Sequence, residues 1–320
     1  MKTIGVVTPG GDAPGMNAAI RAVTRIAHSR KLQVLGFERG WDGLLTNTYK
    51  RLTPRTVGGI IQVGGTMLHT LRCPEFEKAE GVDLAAETLE LNEVNGLVVI
   101  GGDGSFRGAL DLSRESDTLM VGIPATIDND VFGTEETVGF DTAVNTAVEA
   151  IDKIRDTAIS HERVFIVEVM GRKRGFLALE VGIAVGAEVI LIPERECKAM
   201  QIVDVIRENA HKGKRAGIIV AAEGVGDTSK LAKAIAKKTG FEVRLSILGY
   251  AQRGGSPTAR SRLLASLFAE KAVDLLCEEQ GNMLVGLQNG AITGIDLKKS
   301  CETQKPLDLR LLKLAEMLAI

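Results

Sequence analysis

The sequence predicts an α/β protein made of two Rossmann-like, three-layer α/β/α domains with mainly parallel sheets. Three observations lead there: short β-branched runs end in glycine or proline, helical periodicity follows them, and both halves of the chain repeat this grammar. The runs are TIGVVTPGG (3–11), NGLVVIGGDGS (95–105), TLMVGIP (118–124), VFIVEVMG (164–171), EVILIPE (188–194) and AGIIVAAEG (216–224). Such continuous apolar strands suit sheets covered on both faces. Ala18, Ala22 and Ile26, with Ala19 and Val23, recur at helical spacing after PGMN. Val144, Val148, Ile151 and Ile154 do the same after Asp141, which is expected to cap that helix. Two sheets facing one cleft follow, with ligands at the carboxyl ends of the strands.

Composition narrows the function. A chain of 320 residues that is 45% hydrophobic can bury sizeable cores, most simply as two domains. A net charge of −2 offers no bulk attraction to nucleic acid or to an anionic membrane, and 4% aromatic content argues against base-stacking platforms. Neither nucleic acid nor membrane is therefore an expected partner. Cys73, Cys197, Cys277 and Cys301 lack metal or disulfide spacing and read as reduced thiols of a cytoplasmic protein. The apolar run in MKTIGVVTPGG is too short for a signal peptide, and no segment is long enough to span a bilayer.

The polar clusters fall at strand ends. In TPGGDAPGMNAAIRAV (8–23) a strand runs into two glycines, and Pro14 stands at the expected first turn of a helix. Gly10 and Gly11 either let an anionic ligand approach the helix N-terminus or serve the turn alone. The stretch lacks the GxxxxGK[ST] spacing of a P-loop. In IGGDGSFRGA (100–109), Gly101, Gly102 and Gly104 surround Asp103. Phosphates on the backbone amides, with Mg²⁺ held by Asp103 through water, are one reading; a glycine turn with a solvated aspartate is the other. PATIDND (124–130) crowds Thr126, Asp128, Asn129 and Asp130 at the mouth of a strand, where turn formation alone would also use such residues.

With GGDAPGMNAAIRA, GGDGS, TIDND, VMGR and LGYAQRGGSP present in this order, the chain resembles the bacterial ATP-dependent 6-phosphofructokinases over essentially its full length. A GGDG turn alone also occurs in NAD kinases and lipid kinases, which are not expected to carry the other motifs. The resemblance implies transfer of the γ-phosphoryl of Mg-ATP to the 1-hydroxyl of fructose 6-phosphate, in glycolysis. It assigns residues 1–139 plus 252–305 to a larger ATP- and Mg²⁺-binding domain, and 140–251 plus 306–320 to a smaller sugar-phosphate domain. Asp128 becomes the base, Asp130 the acid that orients it, and Asp103 the magnesium-side carboxylate. Thr126 and the Gly11 amide donate to the transferring phosphoryl, and Arg172 bridges to it. Gly102, Gly104 and Ser105 complete the ATP turn, with Arg72 near the donor phosphates and Cys73 beside the purine. Met170, Gly171, Arg172, Glu223 and Tyr250 contact the sugar phosphate, and Arg163, Arg244 and Arg253 bind the 6-phosphate, for which guanidinium suits. Arg163 and Arg244 would come from a neighbouring subunit of a homotetramer. A basic effector pocket would comprise Arg21, Arg25, Arg155, Lys212 and Lys214, with Glu188 as its acidic member.

Three departures from the family pattern stand out. Tyr250 replaces a common histidine and adds no positive charge near neutral pH. Pro54 and Val63 stand where several relatives have arginine, with Arg55 adjacent to the first, so control by ADP or phosphoenolpyruvate stays open. Ala125 replaces a common glycine, while Gly104 is retained. Pyrophosphate-using relatives typically carry Asp at position 104 and Lys at position 125, so ATP is the expected donor. A pyrophosphate or mixed donor, and a non-catalytic sugar-phosphate sensor, are the alternatives.

Overall fold

The computed structural model describes residues 1–319. The strands are β1 (Thr3–Val7), β2 (Gln33–Phe37), β3 (Tyr49–Leu52), β4 (Gly96–Gly101), β5 (Leu119–Pro124), β6 (Val164–Val169), β7 (Val189–Leu191), β8 (Gly217–Ala222), β9 (Val243–Ile247), β10 (Met283–Gln288) and β11 (Ala291–Asp296). The helices are α1 (Met16–Ser29), α2 (Trp41–Leu45), α3 (Ala79–Leu91), α4 (Asp103–Glu115), α5 (Phe140–Ser160), α6 (Phe176–Ala184), α7 (Ala199–His211), α8 (Thr228–Thr239), α9 (Ala259–Cys277), α10 (Leu297–Glu302) and α11 (Leu309–Leu318). The chain divides into two compact units, Met1–Thr142 with Arg253–Lys305 and Ala143–Gln252 with Pro306–Ile320.

The first unit carries a seven-stranded sheet in the order β11-β10-β5-β4-β1-β2-β3. Its inner strands pair in parallel, while β3 and β11 run antiparallel to β2 and β10. Every residue of β1 and β4 is buried, which accounts for their unbroken apolar sequences. From β1 the chain crosses through α1 to β2 on one side, and from β4 through α4 to β5 on the other. Right-handed crossovers in opposite directions put α1 and α4 on opposite faces of the sheet. They also make the β1/β4 boundary the topological switch point, outside whose carboxyl ends a crevice opens.

The second unit has a four-stranded parallel sheet in the order β7-β8-β6-β9. Val164, Ile166, Leu191, Ile202, Ile206, Ile219 and Ile235 fill its core between strands and helices. Tertiary packing, rather than pattern, makes strands of several segments not anticipated from sequence. Gly36 of β2 and Gly286 of β10 interrupt apolar runs because neighbouring atoms fill the space of a side chain. A Cβ there would lie 2.7 Å from Leu68 and 2.3 Å from the Gly133 carbonyl. β3 and β9, both at sheet edges, carry few fully buried residues.

Two expected helix starts differ. Gly15 caps α1 in the left-handed region (φ 105°), and Pro14 lies in the turn ahead of it rather than in the helix. A side chain at Gly15 would come within 2.6 Å of Val138, so packing as well as conformation demands glycine there. Asp141 is not the cap of α5 but lies inside its first turn, where its carboxylate accepts from the Thr258 hydroxyl. That bond ties α5 to the residue capping α9, since Thr258 Oγ1 accepts from the Ser261 N–H.

Leu97, fully buried in β4, tests how far the first unit depends on its sheet core. Leu97→Ala is expected to cost about 2–5 kcal/mol in urea unfolding. Leu91→Ala, at a largely exposed position, should change stability by no more than about 0.5 kcal/mol.

Candidate active site

In the first unit the turns after β1, β4 and β5 come together at the carboxyl end of the sheet. Ser105 Oγ donates to the Pro9 carbonyl at 2.8 Å, joining the β1 turn to the start of α4. The approach is close enough to require glycines: a Cβ on Gly101 would sit 2.4 Å from Ser105 Oγ, and one on Gly10 (φ 88°) 3.0 Å from it. Gly11 follows in the same turn. Gly102 precedes α4, and its place as cap supplies no side-chain hydrogen bond to the first-turn amides. A helix N-terminus of that kind suits an anion. Above it a Cβ on Gly104 would meet nothing within 4 Å. Asp103 opens the helix and pairs with Arg107 at 3.0 Å, one turn on, with both side chains partly exposed.

The neighbouring loop is tied to the same turn. Thr70 Oγ1 donates to the Gly10 carbonyl at 2.6 Å, and Thr8 Oγ1 to the His69 carbonyl at 3.1 Å. Arg72 is exposed just beyond, and Cys73 is half-buried against the first unit's core. Burial pushes the Cys73 thiol above its ordinary value. Asp12, in the β1 turn, pairs with Arg253 at 3.2 Å. Arg253 thereby belongs to the first unit.

The segment Ala125–Val138 loops out from β5 and returns beside it. Ala125 donates to the Gly101 carbonyl, Val138 donates to the Pro124 carbonyl, and Ala125 and Val138 form a parallel bridge. Ala125 is fully buried, so its methyl reaches no open space, and a lysine there would have to escape the interior. Open space lies over Gly104 instead. Thr126 Oγ1 accepts from the Asp128 N–H at 3.2 Å, and the Thr126 carbonyl accepts from the Thr137 hydroxyl at 2.6 Å. Asp128 is 5% exposed and Asp130 half-buried. Between them Asn129 takes a left-handed conformation (φ 51°), which Asn tolerates better than most residues. Its amide bonds the Glu135 carbonyl and the Thr137 N–H.

In the second unit, Met170, Gly171, Arg172 and Glu223 meet beyond the carboxyl ends of β6 and β8. Gly171 (φ 128°) and Arg172 (φ 51°) form a tight turn with both ends held by side chains. Gln252 Oε1 accepts from the Met170 N–H at 2.9 Å, and Glu223 Oε1 from the Arg172 N–H at 2.6 Å. Tyr250 is 78% exposed in the short turn Gly249–Gln252. Arg163 and Arg244 sit elsewhere, at the amino ends of β6 and β9, where Glu242 pairs with both. These hydrogen bonds, that from Arg163 foremost, hold the Glu242 carboxyl below the usual range. Its contribution is present above the ordinary glutamate pKa and is lost as pH falls through the depressed one.

The expected effector residues divide between the units. Arg21 and Arg25 lie on α1 in the first. In the second, Arg155 donates to the Val185 carbonyl, Lys212 pairs with Glu208 at 3.0 Å, and Lys214 pairs with Glu188 at 2.6 Å. Glu188, 8% exposed, also accepts from the Ile218 N–H. A cavity of about 340 Å³ adjoins Arg155 and Lys214.

Sequence reasoning passed over Asp12, Gln252, Glu242 and Lys305. The first two stand inside quoted motifs, and their spacing to Arg253 or Met170 is invisible along the chain. Lys305 carries no local signal, and of the two partners of Glu242 only Arg244 is near it in sequence. Among the described residues no helix is long and apolar enough to cross a membrane.

Glycine turns at a switch point, a helix N-terminus without a side-chain cap and a buried aspartate one strand away define a phosphate-handling α/β protein. Residues 3–276 match the Phosphofructokinase family, and the chain belongs to it. Over the whole length of both chains it is 51% identical to an ATP-dependent 6-phosphofructokinase of Lysinibacillus sphaericus and 48% identical to that of Brevibacillus brevis. The phosphofructokinase of Saccharomyces cerevisiae superposes with a TM-score of 0.89 at 34% identity, covering 100% of this chain and 48% of that one. A pyrophosphate-dependent phosphofructokinase from Marinobacter aquaeolei shares the fold, with a TM-score of 0.85 at 20% identity over 97% of this chain and 86% of its own.

The open space over Gly104 yields a direct test. Gly104→Asp should leave the urea midpoint close to that of the parent, since a Cβ there meets nothing within 4 Å. Its added charge at the helix N-terminus should weaken binding of a nucleoside triphosphate by about tenfold or more, read by calorimetry.

Proposed function

We propose that this chain transfers the γ-phosphoryl of Mg-ATP to the 1-hydroxyl of fructose 6-phosphate, giving fructose 1,6-bisphosphate and ADP. The observation that carries this reading is the buried Asp128 beside the open Gly104 turn, in a chain about half identical, end to end, to enzymes named ATP-dependent 6-phosphofructokinase. Phosphoryl transfer asks for positioning and charge neutralisation more than covalent chemistry. Asp128 takes the hydroxyl proton as the bond to phosphorus forms, and Asp130 helps to orient it. Because Thr126 Oγ1 accepts from the Asp128 amide, its own proton is left to donate to the transferring phosphoryl. The Gly11 amide and Arg172 share that charge. Gly102, Gly104 and Ser105 shape the donor turn, with Arg72 and Cys73 flanking it. A pyrophosphate donor is not favoured, since the space over Gly104 carries neither bulk nor charge.

The residues present fit a magnesium ion that arrives with the nucleotide. Among the described residues no group of three or more His, Cys, Asp or Glu side chains could hold a metal alone. Mg²⁺ commonly uses one or two carboxylates plus substrate phosphates, and Asp103 would supply the protein's share. When bound, the ion would offset the negative charge of the donor phosphates. Asp103 would exchange its partner Arg107 for that role.

The acceptor falls to Met170, Gly171, Arg172, Glu223, Tyr250 and Arg253, with Arg163 and Arg244 gripping the 6-phosphate. Within one chain, Arg163 and Met170 flank opposite ends of β6, about 20 Å apart at strand spacing. A single sugar phosphate cannot bridge them. This supports active sites completed by Arg163 and Arg244 of a second copy, within the homotetramer that the family resemblance suggests. Arg21, Arg25, Arg155, Glu188, Lys212 and Lys214 would form the effector site for ADP or phosphoenolpyruvate.

Two measurements test this. Product formation should be robust with ATP and weak with pyrophosphate, and Asp128→Ala should lower kcat by about 10²–10⁴ with modest loss of sugar binding. Near-normal turnover in that variant would remove Asp128 as base, and binding without turnover in the parent would favour a sensor. For shared sites, mixed and reassembled Asp128→Ala and Arg244→Ala chains should regain activity that neither has alone. No recovery in verified hybrids would place each site in one chain.

A further inference from the structure

We propose that Lys305 is a positioning residue for the Asp128–Asp130 loop, holding it through Asn129; this rests on the phosphofructokinase reading above. Lys305 lies beyond the residues that match the family and is the last residue of the first unit before the chain passes to the second. Its ammonium donates to Asn129 Oδ1 at 2.8 Å and to the Glu135 carbonyl at 3.0 Å. Asn129 Nδ2 donates to that same carbonyl at 3.1 Å, so Asn129, Lys305 and Glu135 close a hydrogen-bonded ring. Asn129 Oδ1 also accepts from the Thr137 N–H at 3.1 Å. The amide therefore has one workable orientation, with oxygen toward two donors and nitrogen toward a carbonyl.

The ring acts where it matters for catalysis. Asn129 stands between the two aspartates in a left-handed conformation that one residue's turn alone holds weakly. Thr137, the other end of the ring's reach, also donates its hydroxyl to the carbonyl of Thr126. Glu135 is anchored in turn, its N–H donating to the Leu287 carbonyl at 2.8 Å and its carboxylate accepting from the Asn289 N–H at 2.7 Å. An ammonium linking Asn129 to this anchored carbonyl adds charge-assisted bonds to the hold. Without it, Asn129 Oδ1 and the Glu135 carbonyl each keep a partner, so the loop persists but loosens. The turn Met170–Arg172 belongs to the other unit.

The test compares Lys305→Met and Lys305→Arg in the full chain. Lys305→Met should lower kcat about tenfold or more while KM for fructose 6-phosphate stays within about twofold, because misplacement of the reacting group is lost orientation rather than lost binding. Amide exchange over residues 126–137 should accelerate in the same variant, and Lys305→Arg should restore most of both. Unchanged kcat and exchange in Lys305→Met, a loss confined to KM, or an equal loss in Lys305→Arg would each overturn the proposal. If Lys305→Met does not fold, Lys305→Gln is read by the same criteria. Absence of turnover in the parent would refute the phosphofructokinase reading, whereas unchanged exchange in the variant would refute the hold of Lys305 on the loop.

Discussion

The close approach of the β1 and β4 turns, held by the bond from Ser105 Oγ to the Pro9 carbonyl, is the constraint on which the first unit's site depends. Two parallel strands at a switch point send their chains to opposite faces, and this opens a crevice between their turns. The crevice is useful only if both backbones reach its floor. Glycine at positions 10 and 101 permits that, because a Cβ at either would press on Ser105. With the floor fixed, α4 starts directly above it and presents its N-terminus to whatever lies in the crevice. The glycine at position 104 then leaves the space above it open. Each of these features loses its purpose without the one before it.

Acidic groups are handled differently at each place. Asp103, Asp12 and Glu242 face guanidinium partners, so each has a favourable charge arrangement at hand while remaining reachable from solvent. Exposed pairs of this kind are worth little to stability. Their effect is to fix where each arginine points. Asp128, by contrast, is nearly enclosed, in a loop braced by backbone and amide hydrogen bonds. In the proposed reaction that rigidity would serve orientation, which phosphoryl transfer needs more than basicity.

The second unit solves a related problem with a smaller sheet. Its turn at Met170–Arg172 adopts two consecutive positive φ values, a conformation that costs energy unless its surroundings enforce it. Gln252 and Glu223 do so by accepting the two flanking N–H groups. Glycine at position 224 lets the following segment pack on that turn, since a Cβ there would lie 2.4 Å from the Arg172 carbonyl. The other end of the same sheet gathers Arg163, Arg244 and Glu242. One small sheet thus offers two separate polar ends, and the length of β6 keeps them apart.

The sequence by itself determined the α/β class, the buried parallel strands and the strand-end glycine and aspartate clusters. Apolar runs, glycines and acids act over a few residues, and local chemistry writes them into the chain. It also sufficed to recognise the family, through GGDGS, TIDND and LGYAQRGGSP taken together. Helix starts were less legible: Pro14 and Asp141 have the right chemistry for a first turn and a cap, but packing against Val138 and Thr258 moved both boundaries. The edge strands β3 and β9 and the glycine-broken β2 and β10 were hidden for the same reason, because their pairing partners supply the stabilisation. Only the tertiary structure decided that the Ala125 methyl is enclosed, that Glu242 serves two arginines, and that Lys305 reaches Asn129 across 176 residues of sequence. The Arg163–Glu242 and Lys305–Asn129 contacts join segments distant in the chain, and no local pattern encodes a partner that only folding brings near.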